Sequence, residues 1–305
     1  MSNNSLKQIV LISGANGFVG SWATKIYAEY GYLVVALVRP NRDLSRLAGV
    51  DLQLEIAEES KWPDVILRIK PEIVVLCDWS GVAGKSKNDD FQFENVARWE
   101  GMAKASRSAG VGLLIALGSQ AELGEAQLEA TEYSPMNPVT KYGLAKVQAL
   151  QTLSTALEDS HTKHCWVRVF SVYGPNIDGD WVIPQTIRAI QEKREIRLTN
   201  CEQEWNFLHV TDLIELLVKI SRLENPPAII HAAAHRGLLL RTYLTILGEI
   251  ANGTEFLLFG KNDSSFGKPV NLRPNTNLAK SIGWKPKIDW RTGINEVLNT
   301  TFLEN

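Results

Sequence analysis

The stretch IVLISGANGFVGSWATKIYAEYG, residues 9 to 31, joins a short apolar run to an amphipathic segment through a glycine-rich link. An uninterrupted run such as Ile9 to Ile12 is typical of a strand buried on both faces. From about residue 18 to 30 the apolar positions recur at helical spacing. Between the two lie Gly14, Asn16, Gly17, Phe18, Val19 and Gly20. Glycines at these points permit a tight turn, close backbone approach to a pyrophosphate and close helix packing. The helix N-terminus adds free N–H donors and a partial positive charge. A structural turn explains the first glycine but not all three, so the segment reads as the phosphate loop of a dinucleotide site.

Working outward, similar runs recur at 33 to 38 (LVVALV), 73 to 77 (IVVLC), 111 to 117 (VGLLIAL) and 165 to 170 (CWVRVF). Helical patterns lie between them, at about 62 to 70, 91 to 109 and 138 to 158, with a short one after Arg42. This alternation predicts an α/β fold, a doubly wound parallel sheet of the Rossmann kind. After Tyr173-Gly174-Pro175 the elements become shorter and mixed. Helices are expected near 182 to 193, 210 to 223, 239 to 251, 275 to 282 and 290 to 302, and strands near 196 to 198, 205 to 208 and 228 to 232. The expected division is a dinucleotide-binding domain over 1 to 172, rejoined by about 205 to 232, and a smaller mixed α/β substrate lobe over 173 to 305.

Composition narrows the function. A chain of 305 residues with 45% hydrophobic content can bury a large core, and a net charge of -2 gives no field favouring nucleic acid or an anionic membrane. Cys77, Cys165 and Cys201 form no CxxC pair and the five histidines no zinc-like cluster, so reduced thiols and no metal are expected. The polar start, MSNNSLKQ, lacks a signal-peptide core, and no apolar run reaches the roughly 20 residues needed to span a bilayer. A cytoplasmic location is the expectation.

At the end of the second run an NAD site would offer an acid to the ribose 2′-OH. Arg39 stands there with Arg42 close by, which favours a 2′-phosphate and hence NADP over NAD; Asp43 could still serve a ribose. Further along, Tyr142 and Lys146 sit one helical turn apart beside an apolar stripe. Alone, that pair is equally an amphipathic helix with a lysine stem over a ring.

Taken together, GANGFVG, GSQAELG after the fifth run, YGLAK and VRVFSVYGP carry a resemblance. In this order and spacing they resemble the extended short-chain dehydrogenase/reductases, the NAD-dependent epimerase/dehydratase-like family, in its branch acting on nucleotide-diphosphate sugars. WNFLHVTDL (205 to 213) and NLRPNTNLAKSIGWKP (271 to 286) look like the family's late signatures. The resemblance implies a tyrosine acid/base, Tyr142, a lysine that also holds the nicotinamide ribose, Lys146, and a hydroxyl that polarises the substrate oxygen, Ser119. A free tyrosine, with a pKa of about 10, is a poor base at neutral pH, and a neighbouring ammonium is expected to lower it. Asn95 matches an asparagine that supports a helix and a relay water. Cofactor contacts are implied for Gly14, Asn16, Gly17, Phe18, Val19, Gly20, Arg39, Glu55, Ile56, Cys77, Trp79, Leu117, Phe170 and Val172, as well as Tyr142 and Lys146. Substrate contacts are implied for Ser119, Gln120, Ser171 and Arg273, the last on the diphosphate. The helices at 91 to 109 and 138 to 158 imply a homodimer.

Four departures stand out. Relatives that eliminate water carry carboxylates just after the catalytic hydroxyl; here Gln120 and Ala121 follow, and Glu122 is displaced, with a solvent-facing charge as its plain alternative. Asp78-Trp79 replaces a small pair, either reshaping the ribose contacts or rotating outward. Ser171 stands where many relatives have asparagine. Trp205 is expected either to stack on a nucleobase or to join the core. The expected function is an NAD(P)-dependent reductase of a nucleotide-diphosphate 4-keto-6-deoxyhexose. A 4-epimerase with retained NAD, a silent dinucleotide sensor and an oxidoreductase for a non-nucleotide carbonyl compound are the alternatives.

Overall fold

The structure is a computed structural model that describes residues 7–82, 84–124, 129–262 and 273–302. In chain order the first elements are β1 (Ile9–Ser13), α1 (Phe18–Glu29), β2 (Leu33–Val38), β3 (Gln53–Ile56), α2 (Trp62–Ile69), β4 (Ile73–Leu76), α3 (Gln92–Ala109), β5 (Leu113–Ser119), α4 (Lys141–Leu157) and β6 (Lys163–Val169). There follow β7 (Ser171–Tyr173), α5 (Val182–Gln191), β8 (Ile196–Leu198), β9 (Glu204–Trp205), β10 (Phe207–His209), α6 (Val210–Ser221) and β11 (Ile229–Ala232). The described chain ends with β12 (Leu238–Leu239), α7 (Leu240–Ile250), β13 (Leu257–Phe259), α8 (Asn277–Ser281) and α9 (Trp290–Phe302).

Seven strands form one parallel sheet in the order β11-β6-β5-β4-β1-β2-β3. Side chains of a strand alternate between faces, and both faces are covered. Val10 and Ile12 pack with α1 and α6, while Leu11 packs with α2, α3 and α4. That is why β1 reads as a continuous apolar run. Strand order reverses between β1 and β4, which opens a crevice at their carboxyl ends, the place where ligands bind in such sheets.

The helix after β1 approaches the loop as closely as backbone allows. Gly14 has φ +64°, and a Cβ on Gly20 would lie 2.1 Å from the Gly14 carbonyl oxygen. The first turn of α1 has no side-chain cap, so its N–H donors face the crevice mouth without a partner from Gly17.

β3 escaped the reading of apolar runs because it is the sheet edge: Gln53, Leu54 and Ile56 are exposed and alternation is lost. The run expected at 205 to 208 divides in two. Trp205 pairs antiparallel with Leu238, whereas Phe207 pairs parallel with Ser171. Asn206 makes the break, its buried amide donating to Ala234 O at 3.0 Å and accepting from Ala234 N at 2.7 Å. Beyond β6, a separate core forms around Tyr173, Phe207, Tyr243 and Trp290, with Phe207 and Trp290 stacked at 5.1 Å. Trp205 packs against Phe207 at the margin of this core, at 6.3 Å between ring centroids. Among the described residues no helix is long and apolar enough to cross a membrane.

The glycine contacts give a paired test. Gly20→Ala forces backbone apart and is expected to cost about 1–3 kcal/mol, read as a lower urea midpoint. Gly101→Ala, inside α3 with only Pro63 Cγ 3.5 Å from the new Cβ, is expected to stabilise by up to about 1 kcal/mol. Equal shifts for the two variants would refute the close-approach argument.

Candidate active site

Ser119 ends β5, a strand buried along its whole length, and its hydroxyl accepts the Ala121 N–H at 3.2 Å to start a 3₁₀ turn, Gln120–Glu122. Glu122 turns back rather than outward. One carboxylate oxygen accepts the Ser119 N–H at 2.5 Å and the Trp166 indole N–H at 3.0 Å; the other accepts Arg168 Nε at 2.9 Å. Glu122 and Arg168 are both wholly buried, so the solvent-facing alternative for Glu122 is overturned: its length and the capping geometry carry it inward. Arg168 continues to His231 Nε2 at 3.1 Å, and His231 Nδ1 reaches Asn275 O at 3.2 Å. This network assigns a neutral ring with its proton on Nδ1. Burial, reinforced by Arg168, pushes His231 down to about 3.

Thr140 caps α4 by accepting the Gly143 N–H at 3.1 Å, so the helix begins at Lys141 rather than at the expected 138. A Cβ on Gly143 would lie 2.4 Å from Ala121 O. The missing side chain therefore lets the start of α4 press against the Ser119 turn. Tyr142 is brought toward Ser119 in this way, and the Ser119 side chain favours the ionised form of the phenol. Burial pushes the Tyr142 phenol up to about 12, with Glu122's charge adding to the rise and Ser119 opposing it. The expectation of a lowered tyrosine pKa beside Lys146 is corrected, because burial of the phenol dominates and raises it.

Lys146 is itself buried, 2% exposed, and donates to Leu117 O at 2.7 Å. Its ammonium lies 3.6 Å from the Trp79 ring centroid and 4.3 Å from that of Trp99. Trp166 and Tyr142 complete the enclosure, each at 5.9 Å. Burial drives this lysine well below its usual range, against the pull of Glu122 and Asp78. The two readings of Trp79 are thus decided: it turns inward, fixed by its indole N–H to Gln92 Oε1 at 2.8 Å, and covers Lys146. A contact from Lys146 to a nicotinamide ribose requires the Trp79 ring to move.

Beneath this enclosure Asp78 is clamped. Arg98 Nε donates to it at 2.7 Å, Trp99 Nε1 at 3.2 Å, and Ser13 Oγ makes a further short contact. Burial pushes Asp78 up while Arg98 and Ser13 pull it down. Asn95, 1% exposed, accepts the Ser80 N–H at 3.1 Å and an Arg98 Nη2 proton at 2.6 Å. It braces the turn after β4 and touches neither Tyr142 nor Lys146. Sequence reasoning missed Arg98 and Trp99, although both share a helical face with Asn95 at i+3 and i+4.

At the far end of the crevice the glycine loop has the shape a pyrophosphate needs: side chains at Gly14 and Gly20 would strike the backbone of Asp78 and of Gly14, so only glycine lets the loop fold this tightly against the uncapped start of α1. Asn16 is tied to Asp43 O at 3.1 Å, and Phe18 and Val19 open α1 half-buried. Arg39 is 39% exposed and 3.4 Å from Glu59; a cavity of about 400 Å³ lies against Arg39, Arg42 and Glu59. Glu55 is committed to Arg68 at 2.6 Å, and Ile56 is 54% exposed at the sheet edge. Cys77 is half-buried, its N–H on Ser13 Oγ at 3.3 Å and its thiol driven up by burial.

On the substrate side, Gln120 Nε2 reaches Ser171 Oγ at 3.4 Å. Phe170 is buried edge-on to His231, and half-buried Val172 lies in β7. Arg273 is exposed and held by both oxygens of Glu204, one at 2.7 Å, with no polar contact to Ser119, Tyr142 or Lys146 among the described residues.

A model of the "NAD dependent epimerase/dehydratase family" matches residues 10–237. The chain belongs to the NAD dependent epimerase/dehydratase family. Mouse dTDP-D-glucose 4,6-dehydratase is 24% identical over 223 residues, 68% of this chain but only 61% of the mouse protein. dTDP-4-dehydro-6-deoxy-D-allose reductase of Streptomyces bikiniensis is 24% identical over 312 residues, 94% of each chain. Among solved structures, MoeE5 in complex with UDP-glucuronic acid and NAD superposes with a TM-score of 0.85 at 21% identity, over 97% of this chain and 99% of that one. The seven-stranded sheet is thus the fold of this epimerase/dehydratase family.

Two tests follow from the buried charges. Trp79→Ala opens Lys146 to water, so its pKa is expected to rise toward the usual lysine value, read by NMR titration of labelled lysine; a fall would mean that lost cation–π attraction outweighs resolvation. His231 has a folded pKa of about 3 against about 6.5 unfolded. Between these values the unfolded chain binds the proton and the folded chain does not, so stability falls as pH drops below about 6.5. His231→Gln is expected to flatten part of that slope in urea midpoints between pH 7 and pH 4, leaving the share of His209, which burial holds at about 4.

Proposed function

We propose that the protein is an NADP-preferring reductase of a nucleotide-diphosphate keto-sugar, a 4-keto-6-deoxyhexose in the reading that fits its relatives' substrates. The observation that carries this is the seat of Tyr142, buried at the start of α4 where Gly143 lets the helix press on the turn that begins at Ser119; burial there pushes the phenol up to about 12. A neutral phenol is the form that donates a proton.

A nicotinamide dinucleotide held there would supply the hydride that reaches the carbonyl carbon. Ser119 donates a hydrogen bond to the carbonyl oxygen and polarises it. Tyr142 transfers its proton to that oxygen as the C–O double bond becomes single, leaving an alcohol and a phenolate. Lys146, with its ammonium 5.9 Å from the Tyr142 ring, stabilises that phenolate. Elimination of water is disfavoured because Glu122, the only carboxylate in the turn after Ser119, is locked against Arg168. Gly14, Asn16, Gly17, Phe18, Val19 and Gly20 would hold the pyrophosphate region. Arg39 and Arg42 support a 2′-phosphate, with Glu59 released from Arg39 on binding. Cys77, Trp79, Leu117, Phe170 and Val172 complete the dinucleotide side, Asn95 supports α3 and the turn after β4 as a positioning residue, and Gln120 and Ser171 border the sugar. Packing of α3 against α4 leaves Leu144 exposed, 48%, on an outer face that would serve a homodimer.

A 4-epimerase would use the same hydroxyls, and MoeE5 was seen with NAD. Incubation with NADPH and dTDP-4-keto-6-deoxyglucose decides between them. Stoichiometric NADPH consumption is expected, reduced roughly 10²- to 10⁴-fold in Tyr142→Phe. Tightly retained NAD with no net consumption would instead make the protein an epimerase, and full biological activity of Tyr142→Phe would leave it a dinucleotide sensor.

A further inference from the structure

Lys87 lies in a short 3₁₀ segment, Gly84–Asn88, at the mouth of the candidate site. Its ammonium stands over two rings from different parts of the fold, 5.8 Å from the centroid of Tyr142 and 5.3 Å from that of Trp181, the residue just before α5. It is half-buried. Burial alone acts on it, holding its pKa below the usual lysine range with no neighbouring acid pulling it back.

Among the described residues no oxygen accepts a hydrogen bond from Lys87 and no carboxylate pairs with it. The nearest acid in sequence with an ion pair, Asp90, is taken by Lys141 at 2.6 Å. The contrast with Arg273 is direct: that guanidinium, the expected diphosphate contact, already has a carboxylate partner in Glu204. Withdrawing a cation from water without an anion is unfavourable, and two ring faces replace only part of the lost hydration. Since Lys87 leans over the ring of the proton donor, an anion that completes it must sit beside the ligand's reacting end or on the group next to it.

We propose that Lys87 pairs with an oxyanion of the bound substrate, either its diphosphate or a carboxylate on its sugar, and so selects for charged ligands over Tyr142. This rests on the nucleotide-sugar reading above. It assigns anion recognition to the first lobe, by a residue that also contributes positive potential to the phenolate formed when Tyr142 gives up its proton.

Calorimetric titration of wild type, Lys87→Met and Lys87→Arg tests the assignment. The probes are UDP, dTDP, CDP, GDP and ADP, the corresponding nucleosides, UDP-glucuronic acid and NADP. Thermal melts of all three proteins check folding. Lys87→Met is expected to weaken the preferred nucleoside diphosphate by about 10- to 100-fold, in line with loss of a partly desolvated charge pair. Lys87→Arg should stay within several-fold of wild type, and affinities for nucleoside and NADP should not move. A loss confined to UDP-glucuronic acid, with UDP unaffected, also supports the assignment and identifies the sugar carboxylate as the anion. Unchanged affinity of Lys87→Met for every anionic ligand that wild type binds overturns the proposal and leaves the nucleotide-sugar reading standing. Failure of wild type to bind any nucleoside diphosphate overturns both.

Discussion

One buried carboxylate organises the reactive end of this molecule. Glu122 has no access to water, and three donors, the Ser119 N–H, the Trp166 indole and Arg168, converge on it. Those donors come from β5 and β6, so the ion pair stitches the strand ends together and fixes the turn carrying Ser119. Tyr142 is then located by the press of α4 on that same turn. The carboxylate also acts at a distance, opposing ionisation of Tyr142 and favouring the charged form of Lys146. One group thus fixes the geometry of the turn and adds to the field that burial imposes on the residues around it.

The arrangement of the sheet was legible because its strands are buried on both faces, and continuous apolar runs leave few other solutions. Where burial is one-sided the signal faded: β3 sits at an edge, and with Gln53 and Glu55 in it no apolar run marks the strand. Helix starts were misread by a few residues for a local reason. Pro135 and Pro138 suggest a helix entry, yet the capping hydroxyl belongs to Thr140. The glycine cradle and the Ser119, Tyr142 and Lys146 set were legible as ordered motifs, since their spacing along the chain mirrors successive strand ends.

What the sequence withheld are side-chain directions. Trp79 could be written equally as groove wall or as outward loop residue; only the Gln92 hydrogen bond and the Trp99 face show it turned onto Lys146. Glu122 looked like a displaced acid because strand alternation was applied to a residue that lies in a 3₁₀ turn. Arg168 and His231 gave no signal, being single polar residues within apolar strands. Arg273 matched a motif, but a motif does not reveal that its guanidinium also meets the carboxylate of Glu204.

The charges between the two ends of the crevice are continuous. Arg39 meets Glu59 at 3.4 Å, Glu59 meets Arg98 at 3.3 Å, and Arg98 meets Asp78 at 2.7 Å, directly below the enclosure of Lys146. Each acid in this row is shared between neighbours or clamped by them. Drawing Arg39 away toward a ligand leaves Glu59 wholly to Arg98, which in turn alters what holds Asp78. The end of β2 and the surroundings of the buried lysine thus belong to one row of charges. A substitution at Arg39 is therefore also a substitution in the row that ends beside a lysine on the opposite side of the sheet's midline.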